Sequence, residues 1–290
     1  MLQILIEYGV PISLFLLMLI AGTEVSATDI AKVQKSARPL VLGATIPLIV
    51  LPIIALLIQT IVRPAPVIAA GLLLLAASPG GGISNYYCYL ARCGVLLSAT
   101  ITAIGTLLSL STIPTFLWIA PIATINATST HKILVQPIMM QLLLMMVVPL
   151  LFGALANYII PAATAKYRRP IRTISSFFVA IILALAVWST RSTLEAALSD
   201  IIISAALFVL SAMLLGWILG NGLSEDQRSV LVFETGTRNI GVALLLGGAI
   251  LTPADFAIFA SFLTAYFIVE VAVMLLFASA HLRRIGLVRS

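Results

Sequence analysis

The sequence predicts an all-α membrane protein, and three observations lead there. Of its 290 residues 61% are apolar and 9% charged, with a mean hydropathy of +1.18. A soluble domain of this length has no core large enough to hide that much apolar surface, so the solvent is lipid. Backbone polar groups in lipid must be paired within the chain, which leaves helices or closed barrels. The second observation separates these: the apolar runs last about 20 residues and do not alternate as barrel strands do. The third is that breaks at proline, glycine and charge clusters fall at regular intervals along the chain.

Those breaks predict nine spans, at 4–25, 38–62, 66–92, 94–121, 133–160, 171–190, 196–220, 228–251 and 254–281. The first, beginning with Ile4 to Ala21, follows an N-terminus without Lys or Arg and contains Glu7. It therefore reads as a spanning helix rather than a cleaved leader. Pro47, Pro52, Pro114, Pro137 and Pro149 lie inside spans, where neighbouring helices can re-satisfy the carbonyls they free. The third span is interrupted halfway, at Pro79, Gly80, Gly81 and Gly82. The eighth is interrupted too, by FETGTRNIGVALLLGG from Phe233 to Gly248.

Basic residues set the expected orientation. With the N-terminus outside, Lys32, Lys35, Arg38, Arg92, Lys166, Arg168, Arg169, Arg172, Arg228, Arg283, Arg284 and Arg289 fall inside. Arg63, Lys132 and Arg191 stay outside, and Arg238 lies within the membrane. An odd number of spans is needed for this result, so nine is favoured and the C-terminus is cytoplasmic. The same bias accounts for the net charge of +6, and no basic stripe with interleaved aromatics points to nucleic acid. Cys88 and Cys93, five apart on one helical stretch, suit a disulfide poorly. Two His and no Cys–His cluster leave no zinc site. No nucleophile–base pair suggests an enzyme.

Chemistry concentrates in the two interrupted spans. A charge at mid-membrane costs roughly 2.5–3.5 kcal/mol on insertion scales, so Glu234 and Arg238 imply a task. Four residues apart on a helix, they are expected to neutralise each other in part. Packing alone can explain Gly80 to Gly82, as small residues let helices approach closely. It does not explain the adjacent Ser84 and Asn85, or a carboxylate in a second glycine-rich span. A pair of interrupted segments in the two halves is the sequence sign of a transporter's central site, where unwound carbonyls meet a cation and half-helix N-termini an anion.

At these residues the chain resembles the bile acid:sodium symporter family. SPGGGISNYYCYLARCGVLLSATITAIGTLLS follows the family's CPGG-T-x-SN and TYLA(R/K)G pattern, and ETGTRN sits on its E-x-G-x-Q-N. The resemblance covers essentially the whole chain and points to a bacterial-type member lacking the first of ten helices. It implies two inverted repeats forming a panel domain (about 1–37 and 122–195) and a core domain (about 38–121 and 196–281). In that core the resemblance implies two broken helices that cross at the membrane centre. It also implies one sodium ion at Ser84, Asn85, Ser98, Thr102 and Glu234. All of these are oxygen donors, as a hard cation requires, and Ser98 and Thr102 share a helix face. The family's second sodium site is degraded here. Its positions fall on Pro47, Arg238 and the carbonyls of Thr235 and Thr237, and Pro47 has no ligand to give. A sodium about 4 Å from a guanidinium would be repelled by ~4 kcal/mol at an effective dielectric of ~20. Arg238 is therefore expected to replace that ion.

Substrate-facing positions are expected at Gly82, where the family has threonine, and at Arg238, Asn239 and Glu270. An acid in the last span needs a buried cation or a proton. Arg238 is one expected partner for Glu270, and Arg92 or Arg283 are others. The function so implied is secondary active transport of a small organic anion coupled to one Na+, in a plasma membrane or bacterial inner membrane. A proton-coupled or uncoupled carrier of the same fold is the alternative, and a non-transporting receptor or scaffold is the alternative of another class.

Overall fold

Helix ends fall where the backbone chemistry of the sequence changes. The computed structural model describes residues 5–24, 37–119 and 140–286. A π-helical turn at Leu5–Gly9 leads into α1 (Val10–Thr23). Next come α2 (Ala37–Val62), α3 (Pro66–Ala77), α4 (Ile83–Leu90) and α5 (Val95–Ile119). After the π-helical turn Leu143–Val147 follow α6 (Val148–Ile159), α7 (Pro161–Leu219), α8 (Glu225–Gly236), α9 (Ile240–Ile250) and α10 (Pro253–Arg284). Among the described residues there is no strand.

Local signals explain most boundaries. Proline opens α3, α7 and α10, where its missing N–H is no loss. Ser224 and Gln227 form a reciprocal capping box at the start of α8. Thr252 caps α10 by accepting from Asp255 N at 3.3 Å. Pro47 and Pro52 sit inside α2 and Pro114 inside α5 without ending either helix, as expected.

Among the described residues five helices are long and apolar enough to cross a bilayer: Ala37–Val62, Val95–Leu117, Met140–Ile159, Leu198–Leu219 and Pro253–Arg284. Shorter apolar helices are Glu7–Thr23, Pro66–Ala77 and Ile240–Ile250. The chain is thus a multi-pass helical membrane protein. One boundary differs from expectation. The sixth and seventh spans, 171–190 and 196–220, lie within the single 59-residue helix α7. The reason is visible in the sequence: after Pro170 no glycine or proline occurs before Gly216. At about 1.5 Å per residue α7 runs for roughly 90 Å of helix, about three hydrocarbon thicknesses. The expected break between those spans falls at residues 191–195, and the side chains there, Arg191 included, lie outside the described set. So do Lys32, Lys35, Lys132, Pro137, Arg289 and the start of the fifth span.

Large apolar side chains left exposed mark the lipid-facing surface. On α7, Ile203, Leu207, Leu210, Leu214 and Ile218 are exposed at helical spacing. The opposite faces are packed: α7 lies against α1, α2, α8 and α10, and α3 lies against α2, α9 and α10. Three residues expected on the inner side gather at one end. Arg38 reaches Asn221 O at 3.4 Å, and Arg228 bonds Gly220 O and Asn221 Oδ1, both at 3.2 Å. Arg228 and Arg284 both lie over the ring of Trp217. Cys88 and Cys93 are free.

α1 and α6 cross with their backbones almost touching. A Cβ at Gly153 would fall 3.1 Å from Gly22 Cα, and the backbone of Leu19 stands nearer still. This is the small-residue contact by which membrane helices approach without a hydrophobic drive. Gly153→Val is expected to destabilise the protein by about 1–3 kcal/mol through overpacking, lowering its melting temperature in detergent. Gly286→Ala, near the end of α10 with no neighbour within 4 Å, tests a different property: its φ of +76° makes the loss conformational and smaller, about 1 kcal/mol.

Candidate functional site

Two helices stop midway, and their loose ends meet. α3 ends at Ala77 because Pro79 forces Ser78 into an extended conformation, with φ −64° and ψ 151°. α8 ends at Gly236, and Thr237 and Asn239 follow in extended conformations. The two extended stretches pair as an antiparallel bridge between Gly80 and Arg238. Gly81 N donates to Thr237 O at 3.1 Å, and Asn239 N donates to Pro79 O at 2.9 Å. Each break supplies partners that the other's unwound backbone would otherwise lack. Glycine is needed for this approach: a Cβ on Gly81 would fall 2.8 Å from Arg238 O, and one on Gly80 2.9 Å from Glu234 Oε2. The two interruptions expected at Pro79–Gly82 and within the Glu234 segment are thus both present, and they pair with each other.

Beside the crossing, five expected residues come together. Ser84 Oγ donates to Glu234 Oε1 at 2.5 Å, and Thr102 Oγ1 lies 3.1 and 2.9 Å from the two carboxylate oxygens. Ser98 Oγ bonds both Glu234 Oε1 and, at 2.7 Å, Asn85 Oδ1. It also lies 3.4 Å from Ser84 Oγ. Ser84, Ser98 and Thr102 carry one hydroxyl hydrogen each, and Ser98 has two acceptors to serve with its one. With Glu234 ionised, oxygens therefore outnumber hydrogens, and one close oxygen pair has no proton between its members. Such a cluster, all hard donors with one carboxylate, has the chemistry that binds a small hard cation. Glu234 is 2% exposed and Ser84 and Ser98 are fully buried.

Arg238 does not go where its spacing suggested. Because α8 ends at Gly236, Glu234 and Arg238 do not share a helix, and they attract each other across the break without a direct contact. The guanidinium instead bonds the carbonyls of Ser78 and, at 3.3 Å, Ala76. These are carbonyls at the negative end of the half-helix α3, a favourable place for a cation. Among the described residues no ion pair joins Arg238 to Glu234. The backbone N–H of Arg238 donates to Tyr266 Oη at 2.8 Å, and Tyr266 Oη donates to Gly236 O at 3.1 Å. Tyr266 of α10 thus pins the second break.

The remaining expected positions divide. Pro47 is buried within α2 and offers no ligand. Thr235 Oγ1 is buried without a hydrogen-bond partner. Glu270 is buried, but among the described residues no ion pair joins it to Arg238 or to the alternative partners Arg92 and Arg283. Its Oε1 accepts from Thr237 Oγ1 at 2.9 Å. Asn239 caps α9 through its Oδ1, which accepts from Val242 N at 3.1 Å. Only its amide nitrogen is left to face a solute. Gly82 precedes α4 with nothing within 4 Å of an added Cβ. Three participants were not anticipated: Glu24, which accepts from Asn85 Nδ2 at 3.3 Å and pairs with Arg172, and Arg172 and Tyr266 themselves. No local motif links residues so far apart in sequence.

Interrupted helices that meet beside a buried carboxylate–hydroxyl cluster define the class: a helical membrane protein whose two helix breaks are paired in its interior. The chain belongs to the Sodium Bile acid symporter family, whose model matches residues 11–197, more than half of its length. It is similar to Probable sodium/metabolite cotransporter BASS1, chloroplastic, of Arabidopsis thaliana, with 26% identity over 242 residues, or 80% of this chain and 58% of that protein. The protein of the same name from Oryza sativa subsp. japonica is 25% identical over 233 residues, covering 78% and 55%. The chain spans a little over half the length of these relatives. The family match takes in Ser84, Asn85, Ser98 and Thr102 and ends before Glu234, which joins them through the fold.

The glycine contacts generate a paired expectation. Gly80→Ala pushes a methyl against the Glu234 carboxylate and is expected to lower the detergent melting temperature by the equivalent of about 1–3 kcal/mol. Gly82→Ala, which points into open space, is expected to leave it unchanged.

Proposed function

We propose that this chain is a secondary active transporter, moving a small organic anion across the membrane by alternating access together with one sodium ion. The ion is held by Ser84, Asn85, Ser98, Thr102 and Glu234. The observation that carries this reading is the proton-poor oxygen cluster between α4, α5 and α8. Membership of a family named for sodium symport and the similarity to sodium/metabolite cotransporters support it. Arg238 takes the place of a second sodium, its guanidinium bonded to the Ala76 and Ser78 carbonyls at the end of α3 that would otherwise suit a metal cation. The anion belongs near Gly82 and the amide nitrogen of Asn239, where α4 and α9 begin and their dipoles favour negative charge. In this reading α1, α6 and the first part of α7 form the panel and the crossed helices the core. The basic cluster of Arg38, Arg228 and Arg284 then lies on the cytoplasmic side.

Sodium is expected to raise the melting temperature of the purified protein relative to choline, by the equivalent of about 2.7 kcal/mol at a hundredfold excess over Kd. The dependence should follow a single-site curve and vanish in Glu234→Gln and Asn85→Ala, while Arg238→Gln should make it cooperative. No sodium effect in the native protein, or two ions bound to it, overturns the assignment.

One observation favours a proton-coupled variant of the same carrier. Glu270 is buried against Thr237 at the second break, without an ion pair among the described residues. In proteoliposomes a pH gradient, rather than a sodium gradient, would then drive uptake of small carboxylates, and Glu270→Gln would abolish it.

A further inference from the structure

We propose that Glu24 is a positioning residue for the cation site, turning the Asn85 amide so that its oxygen faces inward; this rests on the cation reading above. Glu24 directly follows α1. Its Oε1 pairs with Arg172 on α7, and its Oε2 accepts from Asn85 Nδ2 at 3.3 Å. Arg168, one turn earlier on α7, holds the end of α1 in place, with Nε on Thr23 Oγ1 at 3.1 Å and Nη2 on Thr23 O at 2.6 Å. The Glu24 side chain is 15% exposed, so its geometry is set by these partners rather than by water.

The argument turns on the two ends of an amide. An ionised carboxylate only accepts, so the NH2 end of Asn85 must face Glu24. The oxygen end is then left facing Ser98, which donates to it at 2.7 Å. Turned the other way, Asn85 would aim two N–H hydrogens at the place where a cation has to sit. It would also set its oxygen against the Glu24 carboxylate.

A cleft of about 370 Å³ lies at the opposite end of α1, lined by Glu7, Val10 and Pro11 with Leu244, Leu245 and Phe256. Glu24 therefore joins α1 and α7 to the half-helix α4 at the end away from this cleft. Losing this contact would remove the acceptor from Asn85 Nδ2 and free the amide to turn.

The test is sodium-dependent melting of the purified full chain, with choline chloride as the folding control. Glu24→Ala is expected to raise the half-saturating sodium concentration about tenfold, the worth of a hydrogen bond to a charged group. Glu24→Gln, which keeps an accepting oxygen, is expected to stay within about threefold of the native value. Asn85→Asp supplies the reading specific to orientation, because both of its ends are oxygens. It should weaken sodium binding beside Glu24 and restore it in the Glu24→Ala background. An unchanged midpoint in Glu24→Ala overturns the proposal while the cation site stands. A native protein indifferent to sodium overturns the cation site and the proposal together. If Glu24→Ala does not fold, a shift of tenfold or more in Glu24→Gln overturns it.

Discussion

The exchange of backbone hydrogen bonds between the two helix breaks is the constraint on which the rest depends. An unwound segment in hydrocarbon exposes N–H and C=O groups that lipid cannot satisfy. Here Gly81 and Asn239 each donate across the crossing, to Thr237 and Pro79, and Tyr266 covers Gly236 O and Arg238 N. Neither break is tolerable without the other. The pairing also sets the site, since it places the end of α8, with Glu234, beside the hydroxyls of α4 and α5.

The crossing sorts the buried charges. Glu234 turns toward Ser84, Ser98 and Thr102, whereas Arg238, beyond the break, turns toward the carbonyl end of α3. A continuous helix would have put both on one face, where they would largely cancel. The break gives them different partners: hydroxyls for the carboxylate and main-chain carbonyls for the guanidinium. Glu270 is held by Thr237, so Glu234, Arg238 and Glu270 each have their own hydrogen-bond partners.

How much of this was legible follows from the range of each interaction. Pro79, Gly80, Gly81 and Gly236 announce the breaks because they act on their own backbone and on close neighbours. Ser98 and Thr102 could be placed together because one helix carries both. The direction of Arg238 was not legible, because helical spacing stops meaning anything once the helix ends between Glu234 and Arg238. Glu24, Arg172 and Tyr266 were hidden for a related reason, since their partners lie far off in the sequence and no residue pattern joins them. The merging of two expected spans into α7 reflects the absence of glycine and proline between Pro170 and Gly216, a local signal that the charge-based division overrode.

A positive charge tied into the protein at Arg238 bears on electrical behaviour. On the proposed reading, one monovalent anion accompanied by one sodium carries no net charge through the bilayer. A carrier that filled both positions from solution would move one surplus elementary charge each turnover, worth about 2.3 kcal/mol per 100 mV of membrane potential. Holding a guanidinium on the Ala76 and Ser78 carbonyls gives up that driving force, so accumulation would depend on the chemical gradient of sodium and be indifferent to voltage.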